Sequence, residues 1–442
     1  MSNNISNLKS RLSNVPRFER SGKITQVVGL VIESEGPVAP IGEVCLLKDK
    51  NGNETTKTEI VGFKDNNRIL SMVLGSTENI SPGMEIVATG KTLSVNVGDA
   101  LLGRIIDGLG NPLDGLGPIN YTTSRSIYAE PPNPLNRKRI TEPMPTGIRA
   151  IDGLVTFGKG QRVGIFAGSG VGKSTIIGMI ARNTSADVNI ISLIGERGRE
   201  VREFIEKDLG KEGLARSVVV CATGDTPALV RIKSALFATS IAEHFRDKGA
   251  DVMLMMDSIT RLAMAQREVG LSIGEPPTTK GYTPSVFSLM QKTMERAGTS
   301  DIGSITGLYT VLVEGDDMNE PIADTARGIL DGHIVLARKL AAAGHFPAID
   351  VLESISRVRT DVIDIEQKNM TSQIVEMMAV HKDVEDLISV GAYKSGTNPK
   401  IDKAIKLIEP INQFLIQEVN EGEEFDNTLK KMKEILGVEH NS

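Results

Sequence analysis

Short apolar runs broken by turn residues fill the chain from about 22 to 92, as in Val27–Ile32, Val44–Leu47, Arg68–Leu74 and Met84–Ala88. Glu35-Gly36-Pro37, Asn51-Gly52-Asn53, Asp65-Asn66-Asn67 and Ser81-Pro82-Gly83 separate them. Short strands at this spacing predict a small β-barrel. Residues 103–147 are rich in Gly and Pro and read as a long irregular connection. From about 148 the texture changes. Runs apolar on both faces (Arg162–Ala167, Val188–Ile194, Ser217–Ala222, Val252–Met256, Ile305–Val313 and His333–Ala337) alternate with helix-length segments. That is the pattern of buried parallel strands in an α/β domain. After about 362 apolar residues recur every three to four positions, as from Ile401 to Leu415, which predicts a helical C-terminal domain. The domain division expected is therefore a tail over 1–20, a barrel over 21–92, an α/β domain over 93–361 and helices over 362–442.

The tail has Ile5, Leu8 and Leu12 at helical spacing, which permits a short one-sided helix, frayed or docked on a partner. Composition narrows the class. The 442 residues point to two or three domains, and 40% hydrophobic with 24% charged is ordinary for a globular protein. A net charge of -6 argues against a broad nucleic-acid footprint. Cys45 and Cys221 lie far apart, with no metal-ligand spacing, and read as reduced thiols. No apolar stretch has signal-peptide or membrane-spanning length. The expectation is a cytoplasmic protein that reaches a membrane only peripherally, through partners.

The candidate chemistry starts at Arg162-Val-Gly-Ile-Phe-Ala-Gly-Ser-Gly-Val-Gly-Lys-Ser-Thr175, which reads strand, Gly-rich turn, helix. Here Ala167, Gly168, Ser169, Gly170, Val171 and Gly172 form the turn, and Lys173, Ser174 and Thr175 open the helix. Glycines let successive N–H groups face phosphates, and the helix start adds its positive dipole end. Lys173 is placed to reach β- and γ-phosphates, and Ser174 to offer its hydroxyl to Mg²⁺. Ala167 departs from the usual Gly at the first motif position.

Two further strands end in acids. Asp251-Val-Met-Leu-Met-Met-Asp257 puts Asp257 at a carboxyl edge, where ligands of such sheets bind, as a second metal-side group. Ile194-Gly195-Glu196-Arg197 places a carboxylate and a guanidinium near the same edge. Glu196 is the candidate to polarise the attacking water and Arg197 to stabilise charge at the γ-phosphate. Spacing alone leaves a salt-bridged surface loop equally open.

Together GSGVGKST, LIGERGREVREF, MLMMDSITRLAMAQRE and HFPAIDVLESISRVRT resemble the hexameric ATPase family that holds rotary ATP synthase catalytic subunits and type III export ATPases. The resemblance runs from about residue 22 to the C-terminus. GERGREVREFIE, GEPPTTKGYTPSVFSLMQKTMERAG and ILDGHIVLARKLAAAGHFPAIDV are similar to the flagellar type III export branch, and ATPases of virulence secretion systems read nearly the same.

The resemblance implies an α/β RecA-like P-loop core with an N-terminal β-barrel and a helical C-terminal domain, arranged as a homohexamer. It implies Mg-dependent ATP hydrolysis that energises export of flagellar proteins. Glu196 matches the family's catalytic glutamate, Arg357 the arginine presented to a neighbour's γ-phosphate, and Phe346 an aromatic that packs on adenine. The partners implied are a regulatory stator-like protein, a coiled-coil stalk protein, export chaperones and the membrane export gate. An RNA translocase with a similar core needs stacking aromatics, and residues 1–92 offer Phe18 and Phe63 alone. A non-hydrolysing subunit would not need Lys173, Glu196 and Asp257 together. Proton-coupled synthesis finds no proton path in the chain.

Overall fold

The computed structural model describes residues 19–64, 68–313, 315 and 317–437. The Ile5/Leu8/Leu12 helix and the turn at 65–67 lie outside them. Of the described residues, those up to 93, with 272–274, cluster as one compact unit and the others as another.

The first unit is a closed barrel of β1 (Ser21–Val28), β2 (Val31–Glu35), β3 (Glu43–Lys48), β4 (Glu54–Lys64), β5 (Arg68–Val73) and β6 (Glu85–Thr92). They follow the order β1-β2-β5-β4-β3-β6, and β6 returns to β1. Ile24, Ile32, Leu47, Ile60 and Ile86 fill its centre. The expected strand Val27–Ile32 is in fact a hairpin: Val28 pairs Val31 across Gly29-Leu30, and Gly29 has φ +58°, which a two-residue hairpin turn demands. The polar segment ETTKTEIVGFK, which none of the apolar runs named above includes, forms the longest strand of the barrel. Its Thr58 and Ile60 face inward while Glu54 and Thr55 face water.

In the second unit one twisted sheet carries the architecture. Its strands are β7 (Ile105–Asp107), β8 (Arg162–Ala167), β9 (Val188–Ile194), β10 (Ser217–Ala222), β11 (Asp251–Asp257), β12 (Ser304–Leu312), β13 (Gly332–Leu336) and β14 (Ile349–Ser356). Among the described residues they run in the order β14-β13-β8-β12-β11-β9-β10-β7. Six of the seven pairings in this order are parallel, as the uniformly buried runs predicted. Both edges correct the sequence reading. β7 lies inside the stretch read as irregular, and β14, antiparallel to β13, was not read as a strand.

Helix α1 (Lys173–Asn183) leaves β8 through the Gly-rich turn. Helix α2 (Ala228–Arg246) is buried along almost its whole length. Three helices close the chain: α3 (Ile365–Ser389), α4 (Pro399–Leu415) and α5 (Phe425–Leu436). Ile374, Ile411, Phe414 and Met432 from these helices share one apolar core with Ile151, Ile176 and Ile180 of the α/β part. Each fully buried Ile, Phe or Met of this seam contributes about 1.5–3 kcal/mol relative to exposure. No helix of the described residues is long and apolar enough to cross a membrane.

Candidate functional site

The carboxyl edge of the parallel strands holds the expected phosphate loop. β8 ends at Ala167, and Gly170 (φ +79°) and Gly172 (φ +93°) turn the chain into α1. An L side chain at either position would be strained. A Cβ on Gly170 would meet nothing, so that loop faces open space. No side chain caps α1 at its N-terminus. Its first N–H groups therefore have neither an intrahelical nor a side-chain partner, the arrangement that receives an anion.

A cavity of about 670 Å³ opens over this loop. Gly168, Ser169, Gly170, Lys173, Ser174, Thr175, Glu196 and Arg197 line it, with Arg261 and Arg338, which sequence reasoning missed. Lys173 reaches across to both acids. Its Nζ donates to Asp257 Oδ1, and to Glu196 Oε1 at 3.4 Å. Asp257 also accepts a hydrogen bond from Thr310 Oγ1 at 2.7 Å. Thr310 follows from register, since β11 and β12 pair Met256 with Tyr309, the residues just before these two.

Burial alone would push the Lys173 ammonium down, but the charges of Asp257 and Glu196 outweigh it and hold it above its ordinary value. Burial raises the Glu196 carboxyl first. Lys173 pulls it back, Asp257 raises it further, and the net direction is up. Arg197 stands differently from these three. Its side chain is 85% exposed and pairs with Glu200 at 3.1 Å, at the rim of the cavity.

A second, apolar pocket of about 240 Å³ shares Gly172 and Thr175 with the first. Val171, Ile176, Leu336, Phe346, Gln417 and Val419 wall it. Phe346 is 45% exposed, so it is no core residue, and a Cβ on Gly172 would lie 3.9 Å from its ring. Gln417 and Val419 come from the turn after α4, some 240 positions beyond the phosphate loop. No local signal in the sequence points to them.

Arg357 is not brought to this site. Its backbone N–H donates to Asp331 O at 2.9 Å, and Asp331 in turn pairs with Arg162 at the first residue of β8. Arg357 therefore lies at the amino edge of the parallel strands, roughly 20 Å (about six residues of strand) from the phosphate loop. Its guanidinium is exposed, with Arg327 O at 3.4 Å.

Comparison with known proteins agrees with this geometry. Residues 147–356 match the ATP synthase alpha/beta family, nucleotide-binding domain. Residues 24–90 match that family's beta-barrel domain, and 363–434 the T3SS EscN ATPase C-terminal domain. A flagellum-specific ATP synthase of Bacillus subtilis is 53% identical over 96% of both chains. A type 3 secretion system ATPase of Xanthomonas euvesicatoria is 47% identical over 97% of both. The solved structure of the assembled ATPase EscN from the type III secretion system of enteropathogenic E. coli superposes with TM-score 0.89. It is 45% identical and covers 94% of this chain and 100% of that one. EscN has also been solved with its central stalk, EscO. A phosphate loop at the carboxyl edge of a parallel sheet, an acid pair across from its lysine, and likeness over 96% of the chain to such proteins lead to one statement: the chain belongs to the ATP synthase alpha/beta family, in the group of flagellum-specific ATP synthases and type 3 secretion ATPases.

Proposed function

We propose that this chain hydrolyses ATP to energise type III export of flagellar proteins, working as a closed homohexamer. One observation carries the reading: Lys173 stands between Glu196 and Asp257 at the mouth of an uncapped helix. In this reading the phosphate tail lies along 168–175, and Lys173 exchanges its two carboxylates for phosphate oxygens. Glu196, freed of that ion pair, orients the attacking water and accepts its proton at a carboxylate oxygen. The base enters the apolar pocket beside Phe346.

The residues present fit Mg²⁺. Among the described residues no cluster of three or more His, Cys, Asp or Glu could hold a metal by itself. Ser174 offers a hydroxyl at the cavity and Asp257, buried behind Lys173, a carboxylate, the sparse protein set expected when phosphates and water supply the remaining positions. Bound there, the ion would neutralise charge on the phosphates.

Arg357 acts in trans. Within its own chain it points away from the phosphate loop, so its contribution to a transition state requires a neighbouring copy. Arg197, exposed at the rim, is free to turn toward the γ-phosphate. The change from barrel strands to sheet to helices supports divisions near 92/93 and 361/362, with the tail before residue 21. A stator-like regulator, a coiled-coil stalk protein, export chaperones and the export gate are the partners of this reading, with a cytoplasmic ring peripheral to the membrane.

The test is phosphate release measured across a dilution series. Specific activity rises steeply with protein concentration if Arg357 completes a neighbour's site; a flat profile rejects the ring mechanism. Type 3 secretion ATPases share the same chemistry at comparable identity. Affinity capture from the native cell decides between the systems, with rod, hook or flagellar gate proteins the expected catch.

A further inference from the structure

We propose that Arg149 is a positioning residue for the nucleotide base: it clamps the turn after α4 so that Gln417 and Val419 form the wall facing Phe346. The inference rests on the reading above, in which the apolar pocket receives the base.

Arg149 is only 5% exposed, yet its guanidinium pairs with no group of its own segment. Its Nε donates to Phe414 O at 2.7 Å and its Nη2 to Ile416 O. These carbonyls belong to the end of α4, where helix geometry leaves C=O groups without partners and favours a cation. Nη1 binds Glu421 and, at 3.2 Å, Glu423. One planar fork thus fastens both ends of the turn 416–424. The backbone N–H of Arg149 also donates to Gln417 Oε1 at 3.0 Å.

Gln417 relays this to the pocket. Its Nε2 donates to Gly147 O and Glu421 O, each at 2.7 Å, so both amide hydrogens are spent. Its backbone N–H donates to Phe346 O at 2.9 Å, which ties the two facing walls together. Arg182 of α1 holds Val419 O from the other side. Gln417 therefore gives the pocket a fixed flat face and no free donor. The slot holds a base by width and stacking, and its width is set by Arg149.

Lysine carries the same charge but cannot fork to two carbonyls and two acids. Arg149→Lys should widen the slot while leaving Lys173, Glu196 and Asp257 in place. Two competitors of a fluorescent ATP analogue separate the outcomes: ATP, which has a base, and tripolyphosphate, which has none. For Arg149→Lys the ATP affinity should fall about tenfold, on the order of one hydrogen bond to a charged group, with tripolyphosphate affinity unchanged. KM for ATP should rise alike while kcat at saturation stays within about twofold. Glu421→Gln, at the half-exposed end of the clamp, should shift ATP the same way more weakly and guards against an Arg149 variant that fails to fold. Equal loss for ATP and tripolyphosphate, or no loss of ATP affinity in either variant, overturns the proposal. If the unmodified protein binds ATP no better than tripolyphosphate, the base-pocket reading itself fails, a result distinct from the failure of Arg149.

Discussion

Replacing Glu196 by Gln separates catalysis from folding and binding. The side chain keeps its shape and loses its charge, so the attacking water loses the group that would take its proton. General-base contributions of 10²–10⁴ put the expected fall in kcat at about 3–5 kcal/mol of barrier. Stability should barely move. At an effective dielectric near 20, attraction between Glu196 and Lys173 at 3.4 Å is about 5 kcal/mol. Asp257 contacts the same ammonium, and its repulsion of Glu196, together with burial of the carboxylate, offsets most of this. The net change should be about 1 kcal/mol or less. The sign can be checked against pH. An acid whose pKa is raised on folding holds its proton more tightly in the native state, and that stabilisation is lost as pH rises through the raised value. The variant, which lacks this ionisation, should match or exceed the parent's Tm at neutral pH. ATP binding should persist or tighten, because Lys173 has one carboxylate fewer to leave. The assays are single-turnover phosphate release, equilibrium ATP binding and thermal melting. A variant that keeps more than about a tenth of kcat, or that loses ATP binding, would falsify the assigned role.

Three further outcomes follow from the same geometry. Lys173→Ala and Arg357→Ala should each be inactive alone, the second still binding ATP; mixed before assembly, they should regain activity, since about a quarter of interfaces then pair an intact loop with an intact arginine. Failure to regain any turnover in mixtures shown to co-assemble refutes the trans role. The acid limb of the kcat/KM–pH profile, which reports the free enzyme, should lie above the ordinary glutamate range, because burial and Asp257 raise Glu196, and it should vanish in Glu196→Gln; a limb at the ordinary position contradicts this. Phe346→Ala should raise KM for ATP roughly tenfold, the loss of one aromatic–base stack of about 1–3 kcal/mol, with kcat little changed; an unaltered KM in steady-state kinetics removes Phe346 from the base pocket.

Much of the core was legible because its strands are apolar on both faces. The runs at 162–167, 188–194 and 217–222 coincide with strands β8, β9 and β10. Edge strands escaped for the opposite reason. Ile349–Ser356 has only two buried residues, Ile349 and Val351, set among half-buried and exposed ones, and Ile105–Asp107 has only three residues amid Gly and Pro. The phosphate loop and its two acids were readable because each follows directly on a buried strand. The base pocket was half readable: Phe346 carried a family likeness, whereas Gln417 and Val419 reach it only through tertiary packing anchored by Arg149. Arg261 and Arg338 were hidden similarly, each brought to the cavity by an element remote from the loop.

The separation of Arg357 from the phosphate loop, across the length of β8, has a consequence for assembly. If Arg357 acts in trans as proposed, each copy carries a socket at the carboxyl edge of its sheet and the plug for another's socket at the amino edge. Any open arc of copies leaves one socket bare and one plug idle at its ends, so a partial arc runs with one engine fewer than its members. Closure alone engages them all. Lone copies would then burn no ATP even without a separate inhibitor, and turnover would begin when the first two copies meet rather than when the circle is completed.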